Sequence, residues 1–278
     1  MQLSAQIALM PRIAVHAVKW GAGLLIGVAT VGCSTAPSSD APADDSAAHT
    51  AVGSDLAHRA MIRMQLAANY LQAGQPQIAL GEVDQAVALQ PRSVDAHNLR
   101  GLVLMGLRDY PAARASFQRA LSLQPDEPYT LHNVGWLDCQ EGRFDQGIAV
   151  LEKVLQVPRY TQTAKTLMAK AMCQRQSGNV EAAEKTFYQA YELDVSNPVI
   201  AYHLADLLFR RQDLERARFY VRRLNNGEFA NAESLWLGIR VEKAIGDAAA
   251  VKQLAEQLQR RFPDSKEWQK YEQGAFSG

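Results

Sequence analysis

Small and bulky residues recur along this chain with a fixed period. Ala79, Ala113, Gly147, Ala183, Ala217 and Val251 follow one another at steps of 34, 34, 36, 34 and 34 residues. Four places after each comes a mostly bulkier residue: Val83, Phe117, Leu151, Phe187, Val221 and Ala255. Seven places after each stand Ala86, Ala120, Val154, Ala190, Leu224 and Leu258. Spacings of three and four residues put such positions on one face of a helix. Five places before the small residue come Gly74, Gly142, Gly178 and Gly246, with Arg108 and Gln212 in the two other slots. A turn between helices favours glycine there, because the backbone enters the left-handed region. Pro91, Pro125 and Pro263 close three of the units, where proline ends one helix and is compatible with the start of the next unit.

The pattern predicts six helix–turn–helix units, near residues 60–93, 94–127, 128–163, 164–197, 198–231 and 232–265. A 34-residue period with these small, bulky and turn positions resembles the tetratricopeptide repeat. The expected fold is all-α: a right-handed superhelix of about six repeats over 55–271, with 265–271 capping the open end and 272–278 a tail. Small residues let the two helices of a unit approach, and the bulky residue one turn later plugs the gap between them. Each unit then contacts its neighbours along the stack.

The residues before this array read as an address. Trp20 to Gly32 is an uncharged run of 13 residues preceded by Arg12, His16 and Lys19. That is short of the ~20 residues that span a bilayer and fits the apolar centre of a secretory signal. Residues 1–32 are therefore expected to be a signal peptide. Thr30-Val31-Gly32-Cys33 resembles the bacterial lipobox, although Thr30 stands where an aliphatic residue is usual. The resemblance implies lipidation of Cys33 with palmitate. Ser34, in place of an Asp, then implies the outer membrane, with the protein facing the periplasm. Residues 33–54, rich in Ser, Ala, Pro and Asp, cannot bury enough apolar surface to order themselves. They are expected to form a flexible tether reaching about 25 Å.

Composition narrows the chemistry. Equal counts of 29 basic and 29 acidic residues argue against nucleic acid as a partner. Three cysteines are too few for a disulfide scaffold of this length. Cys139 and Cys173 stand on the first helices of adjacent units. Helices about 10 Å apart rarely allow a disulfide, so both are expected to be free, buried thiols. The chain holds no H-E-x-x-H, G-x-S-x-G or phosphate-cradling glycine loop. His97, His132 and His203 lie on different units with no second ligand one turn away, and are expected to be groove or surface residues. Arg210, Arg211, Arg216, Arg218, Arg222 and Arg223 alternate with Asp206, Asp213 and Glu215, as on a solvated face. No metal site, cofactor, small-molecule substrate or catalytic residue is expected.

In tetratricopeptide arrays the first helix of each repeat faces the concave side. Its facing slots hold Met61, Met64, Ala68 and Leu71 in the first repeat and Asp95, Asn98, Leu102 and Met105 in the second. The third contributes Tyr129, His132, Trp136 and Cys139. Methionine adapts to varied apolar partners and suits a surface that receives an amphipathic or extended segment. The expected partner groove is therefore Met61, Met64, Leu71, Leu102, Met105, Tyr129 and Trp136, with Asp95, Asn98 and His132 orienting the bound segment.

Leu131 to Leu137, Ala201 to Leu208 and Asn231 to Arg240, with the lipobox and six repeats, resemble the type IV pilus biogenesis and stability lipoproteins, the pilotins of the pilus secretin. The resemblance covers about 54–271. It implies a non-catalytic protein, lipid-anchored in the outer membrane, that binds secretin subunits and promotes their localisation and multimerisation. A general tetratricopeptide lipoprotein that scaffolds envelope enzymes such as peptidoglycan hydrolases is the alternative.

Overall fold

A computed structural model of the chain describes residues 45–276, with side chains from residue 54 onward. The signal segment and Cys33 lie outside the described residues, as does the tether up to residue 44. Among the described residues there are thirteen helices and no strand. They form six antiparallel pairs: α1 (Asp45–Gln72) with α2 (Pro76–Leu89), α3 (Val94–Gly106) with α4 (Tyr110–Leu123), and α5 (Pro128–Gln140) with α6 (Phe144–Leu155). Then come α7 (Thr163–Gln176) with α8 (Val180–Leu193), α9 (Pro198–Arg210) with α10 (Leu214–Asn225), and α11 (Ala232–Ile245) with α12 (Ala248–Arg261). A short α13 (Lys266–Glu272) packs on α11 and α12, where the first helix of a seventh unit would stand. Helix α1 begins at Asp45.

The periodic residues form the core. Ala79, Ala113, Gly147, Ala183 and Ala217 are fully buried, and so are Val83, Phe117, Leu151, Phe187 and Val221 one turn on. Small residues on the first helix complete the fit. A methyl group at Gly101 of α3 would lie 2.3 Å from the Phe117 ring of α4. One at Gly135 of α5 would lie 2.8 Å from Leu151 of α6. The backbone of one helix therefore receives the large side chain of its partner, leaving no room for a Cβ.

The turn slot behaves as its composition requires. Gly246 has φ 93°, and Arg108 and Gln212, standing where other units have glycine, are held at φ 62° and 61°. The residue after the turn caps the second helix. Asp109, Asn179, Asp213 and Asp247 accept from the backbone N–H of Ala112, Ala182, Arg216 and Ala250, which satisfies a donor the helix leaves open.

Ion pairs join successive units at matching slots. Arg114 of α4 reaches Asp138 of α5 at 2.7 Å, and Arg143 completes the group at 2.8 Å. Arg218 of α10 reaches Glu242 of α11 at 3.0 Å and Asp247 at 2.7 Å, and Arg222 reaches Glu242 at 2.6 Å. Glu242 is wholly buried. Between the fourth and fifth units the signs reverse: Glu184 of α8 pairs with Arg211 and with Arg216. The arginine-rich stretch is therefore not simply a solvated face; several of its members tie one repeat to the next. Removing one partner from such a buried pair strands a charge.

The expectation of free thiols fails. Cys139 of α5 and Cys173 of α7 form a disulfide, with Cα atoms 5.5 Å apart. The error lies in equating axis and atom separations. A helix carries its Cα atoms about 2.3 Å from its axis, so axes ~10 Å apart bring facing Cα atoms to roughly 5.5 Å. That is within disulfide reach. The covalent bond staples the third repeat to the fourth.

Two measurements check this packing. Gly101→Ala should cost about 1–3 kcal/mol by overpacking in urea unfolding, and Phe117→Leu in the same chain should recover part of the loss. Reducing the disulfide, or replacing both cysteines with serine, opens a loop of 34 residues and should cost about 3–4 kcal/mol. A thermal melt with and without reductant reads that loss directly.

Candidate functional site on the concave face

Along the stack α1 packs on α3, α3 on α5, α5 on α7 and α9 on α11, and Arg175 of α7 reaches Asp206 of α9 at 3.6 Å. The ten residues expected to line a partner groove all stand on α1, α3 and α5. Their exposure differs from the expectation. Met61 is about half exposed (49%) and Asp95 is exposed, while Met64 and Tyr129 are half-buried. Leu71, Asn98, Leu102, Met105, His132 and Trp136 are buried. An open apolar strip through all ten does not exist in this structure. The buried members fill the seams between successive odd helices; Leu71, for example, lies against Gly106 of α3. Exposed large apolar side chains are spread along the array: Met61, Ile62 and Ile78 in the first repeat, Val180, Leu193 and Val195 in the fourth, and Phe219 and Phe229 in the fifth; of these, Met61 belongs to the expected groove.

Two polar members of the set, Asn98 and His132, are engaged inward. Asn133 Nδ2 donates to Asn98 Oδ1 at 2.9 Å, a buried amide pair that links the second and third repeats. His132 Nδ1 meets Thr166 Oγ1 at 2.8 Å, and the Tyr160 hydroxyl meets the same oxygen at 2.8 Å. Tyr129 and Tyr160 lie with ring centroids 5.6 Å apart, and the Tyr129 hydroxyl is 3.2 Å from Thr161 Oγ1. Asn98 and His132 therefore hold neighbouring repeats together instead of presenting hydrogen bonds to a partner. His97 and His203 are buried as well, against the expectation for the histidines. His97 Nε2 lies 3.0 Å from the Pro91 carbonyl oxygen.

Burial governs the electrostatics here. It pushes His132 down to about 3, helped by the nearby Lys165 cation. His203 is lowered to about 3 by burial and then by Arg175. Burial also lowers Lys165 to about 7. Lys165 stands in the first turn of α7, beside the Tyr160–Thr166–His132 chain. Tyr160, Thr161 and Thr166 escaped the slot analysis because the loop from α6 to α7 is longer than its counterparts. The one 36-residue step in the period is the signal that marks this insertion. Among the described residues, no group of His, Cys, Asp and Glu could hold a metal ion. No helix among them is long and apolar enough to cross a membrane.

Six stacked helix pairs define a tetratricopeptide superhelix, a class whose curvature creates extended concave binding surfaces. The tetratricopeptide repeat model matches residues 64–128, and a second such model matches 164–196. The chain is a tetratricopeptide-repeat protein over those residues and is related to PilF and PilW. It is 27% identical over 223 residues to the type IV pilus assembly protein PilF of Pseudomonas aeruginosa, covering 80% of this chain and 88% of that protein. The solved structure of that organism's PilF superposes with a TM-score of 0.65 at 25% identity, over 79% of this chain and 99% of the other. The structure of PilW, described as a widely conserved type IV pilus biogenesis factor, superposes with a TM-score of 0.67 at 27% identity, over 76% of this chain and 97% of PilW.

The lysine sets a pH dependence. Its pKa is depressed in the folded chain, so between about 7 and its unfolded value the unfolded state binds more protons, and stability rises with pH. Lys165→Met should flatten that rise between pH 7 and 9. It should also stabilise the protein at pH 7 by about 1 kcal/mol, after discounting for its partial exposure. Urea midpoints across this range check both statements.

Proposed function

We propose that this protein is a non-catalytic lipoprotein of type IV pilus biogenesis that holds secretin subunits on its concave face and promotes their multimerisation. The observation that carries the reading is the similarity to PilF and PilW, which runs through about four-fifths of the chain. Met61 and Ile62 on α1 support a protein partner, since both expose apolar side chains that a partner would remove from water. The Cys139–Cys173 disulfide supports an oxidising compartment such as the periplasm. It accords with a signal peptide over 1–32 and an acyl anchor on Cys33 in the outer membrane.

In this reading the acyl chains keep the array near the membrane and the tether sets its reach. The inner face captures a subunit until its neighbours in the ring take it over. Binding needs no bond made or broken. The energy comes from apolar area covered at Met61 and Met64, with Tyr129 and Asp95 further along the same face. Because a few central anchors dominate such interfaces, charges placed there should be severe.

Met61→Glu with Met64→Glu should weaken capture of the secretin by at least tenfold in pull-downs. In cells the same pair should leave the secretin monomeric, while circular dichroism and membrane association stay unchanged. Cys33→Ala should do the reverse, releasing the protein from the outer-membrane fraction with capture by the purified chain intact. Normal secretin multimers in cells carrying the double glutamate variant would contradict this surface.

A further inference from the structure

The last repeat carries an aromatic site on the concave face that the chain itself fills. Trp236 and Lys243 stand two turns apart on one face of α11. After α13 the chain reverses at Gly274, whose φ of 67° suits a residue without a side chain. Ala275 N–H donates to the Lys270 carbonyl at 2.9 Å, and the turn delivers Phe276 onto α11. The Phe276 ring stacks on Trp236, with centroids 5.3 Å apart and planes 26° from parallel. Tyr271 meets it edge-on at 5.9 Å, and Lys243 Nζ lies 3.2 Å from its centroid on the ring face. The same face runs on into the fifth repeat, where the Arg240 guanidinium covers Phe209 at 4.8 Å.

We propose that Trp236, Lys243 and Tyr271 form a receptor site for an aromatic side chain of a partner segment, and that Phe276 is its displaceable intramolecular occupant. The inference rests on the concave face being the partner surface. Three features favour a replaceable ring over a fixed core residue. Phe276 is only half-buried, although Trp236 beneath it is 7% exposed. Beyond the turn, the last two residues are held by one backbone bond each, Ala275 N–H to the Lys270 carbonyl and Phe276 N–H to the Gly274 carbonyl. Burial of one ring is comparable in size to the entropy of ordering the few residues that bring it there, so the closed arrangement is weakly favoured. A cation over an electron-rich ring face then selects aromatic over aliphatic ligands. An extended partner segment lying along the groove from Phe209 would reach the site with its own Phe, Tyr or Trp.

The test uses the chain without its leader, unaltered and as Phe276→Ala, with the hexapeptide Gln-Gly-Ala-Phe-Ser-Gly, a copy of residues 273–278, as probe. Binding is read from the Trp236 indole N–H signal in NMR, assigned with Trp236→Phe. The proposal expects the peptide to bind Phe276→Ala at least tenfold more tightly than the unaltered chain. A peptide with Ala for Phe should not bind, and Lys243→Ala should weaken binding severalfold. Phe276→Tyr, which keeps the ring, should behave as the unaltered chain. Equal binding by both chains, or no binding to a Phe276→Ala protein that melts at a lower temperature, would make the ring a cap only and overturn the proposal. Secretin capture is measured alongside. Its failure in every form, with peptide binding intact, would remove the secretin reading and leave the aromatic site standing.

Discussion

The structure depends on the fit of one large side chain into the missing side chain of a partner helix. Phe117 lies where Gly101 has no Cβ, and Leu151 lies where Gly135 has none. This contact sets how closely the two helices approach in the second and third repeats, and the fully buried Ala67, Ala171 and Ala205 hold the same slot in the first, fourth and fifth. Once units are identical in thickness, their inner faces line up without further instruction. Everything assigned to the concave face inherits its geometry from that seam.

Similar units could also stack in the wrong order, and the junctions differ in ways that discourage this. Arg114 meets Asp138 and Arg218 meets Glu242 at equivalent slots, whereas Glu184 meets Arg211 and Arg216 with the signs exchanged. The junction between the third and fourth repeats has a disulfide beside its Glu152–Lys170 pair at 2.7 Å. A misplaced unit would set like charges together or leave Glu242 buried without its arginines, and either arrangement is costly. Buried ion pairs add little net stability. Their contribution here is to register.

The repeat core was legible in the sequence because it is a one-dimensional signal: a small residue, a large one four places on, a turn residue five places back. Even Arg108 and Gln212 fell correctly into the glycine slot, and their positive φ values follow from position rather than from residue type. What sequence could not supply was the packing between units. Leu102, Met105 and Trp136 were expected to line an open groove, and they are buried. The slot rule gives a direction, and exposure depends on how far the next helix stands away. The disulfide was missed for a related reason, since Cα atoms on facing helices lie much nearer than their axes. Phe276 lay in what read as a featureless tail. Only the turn at Gly274 shows where its ring goes.

The account makes the face built by the odd-numbered helices the partner surface and gives the even-numbered helices a supporting role. Photo-crosslinking in cells separates the two most directly. A crosslinking amino acid would be placed at Met61 or Tyr129 on the inner face, and at Phe219 on α10, which is 57% exposed. The account predicts secretin adducts from positions 61 and 129 and none from 219. Adducts from position 219 alone would contradict it and move the partner to the outer face.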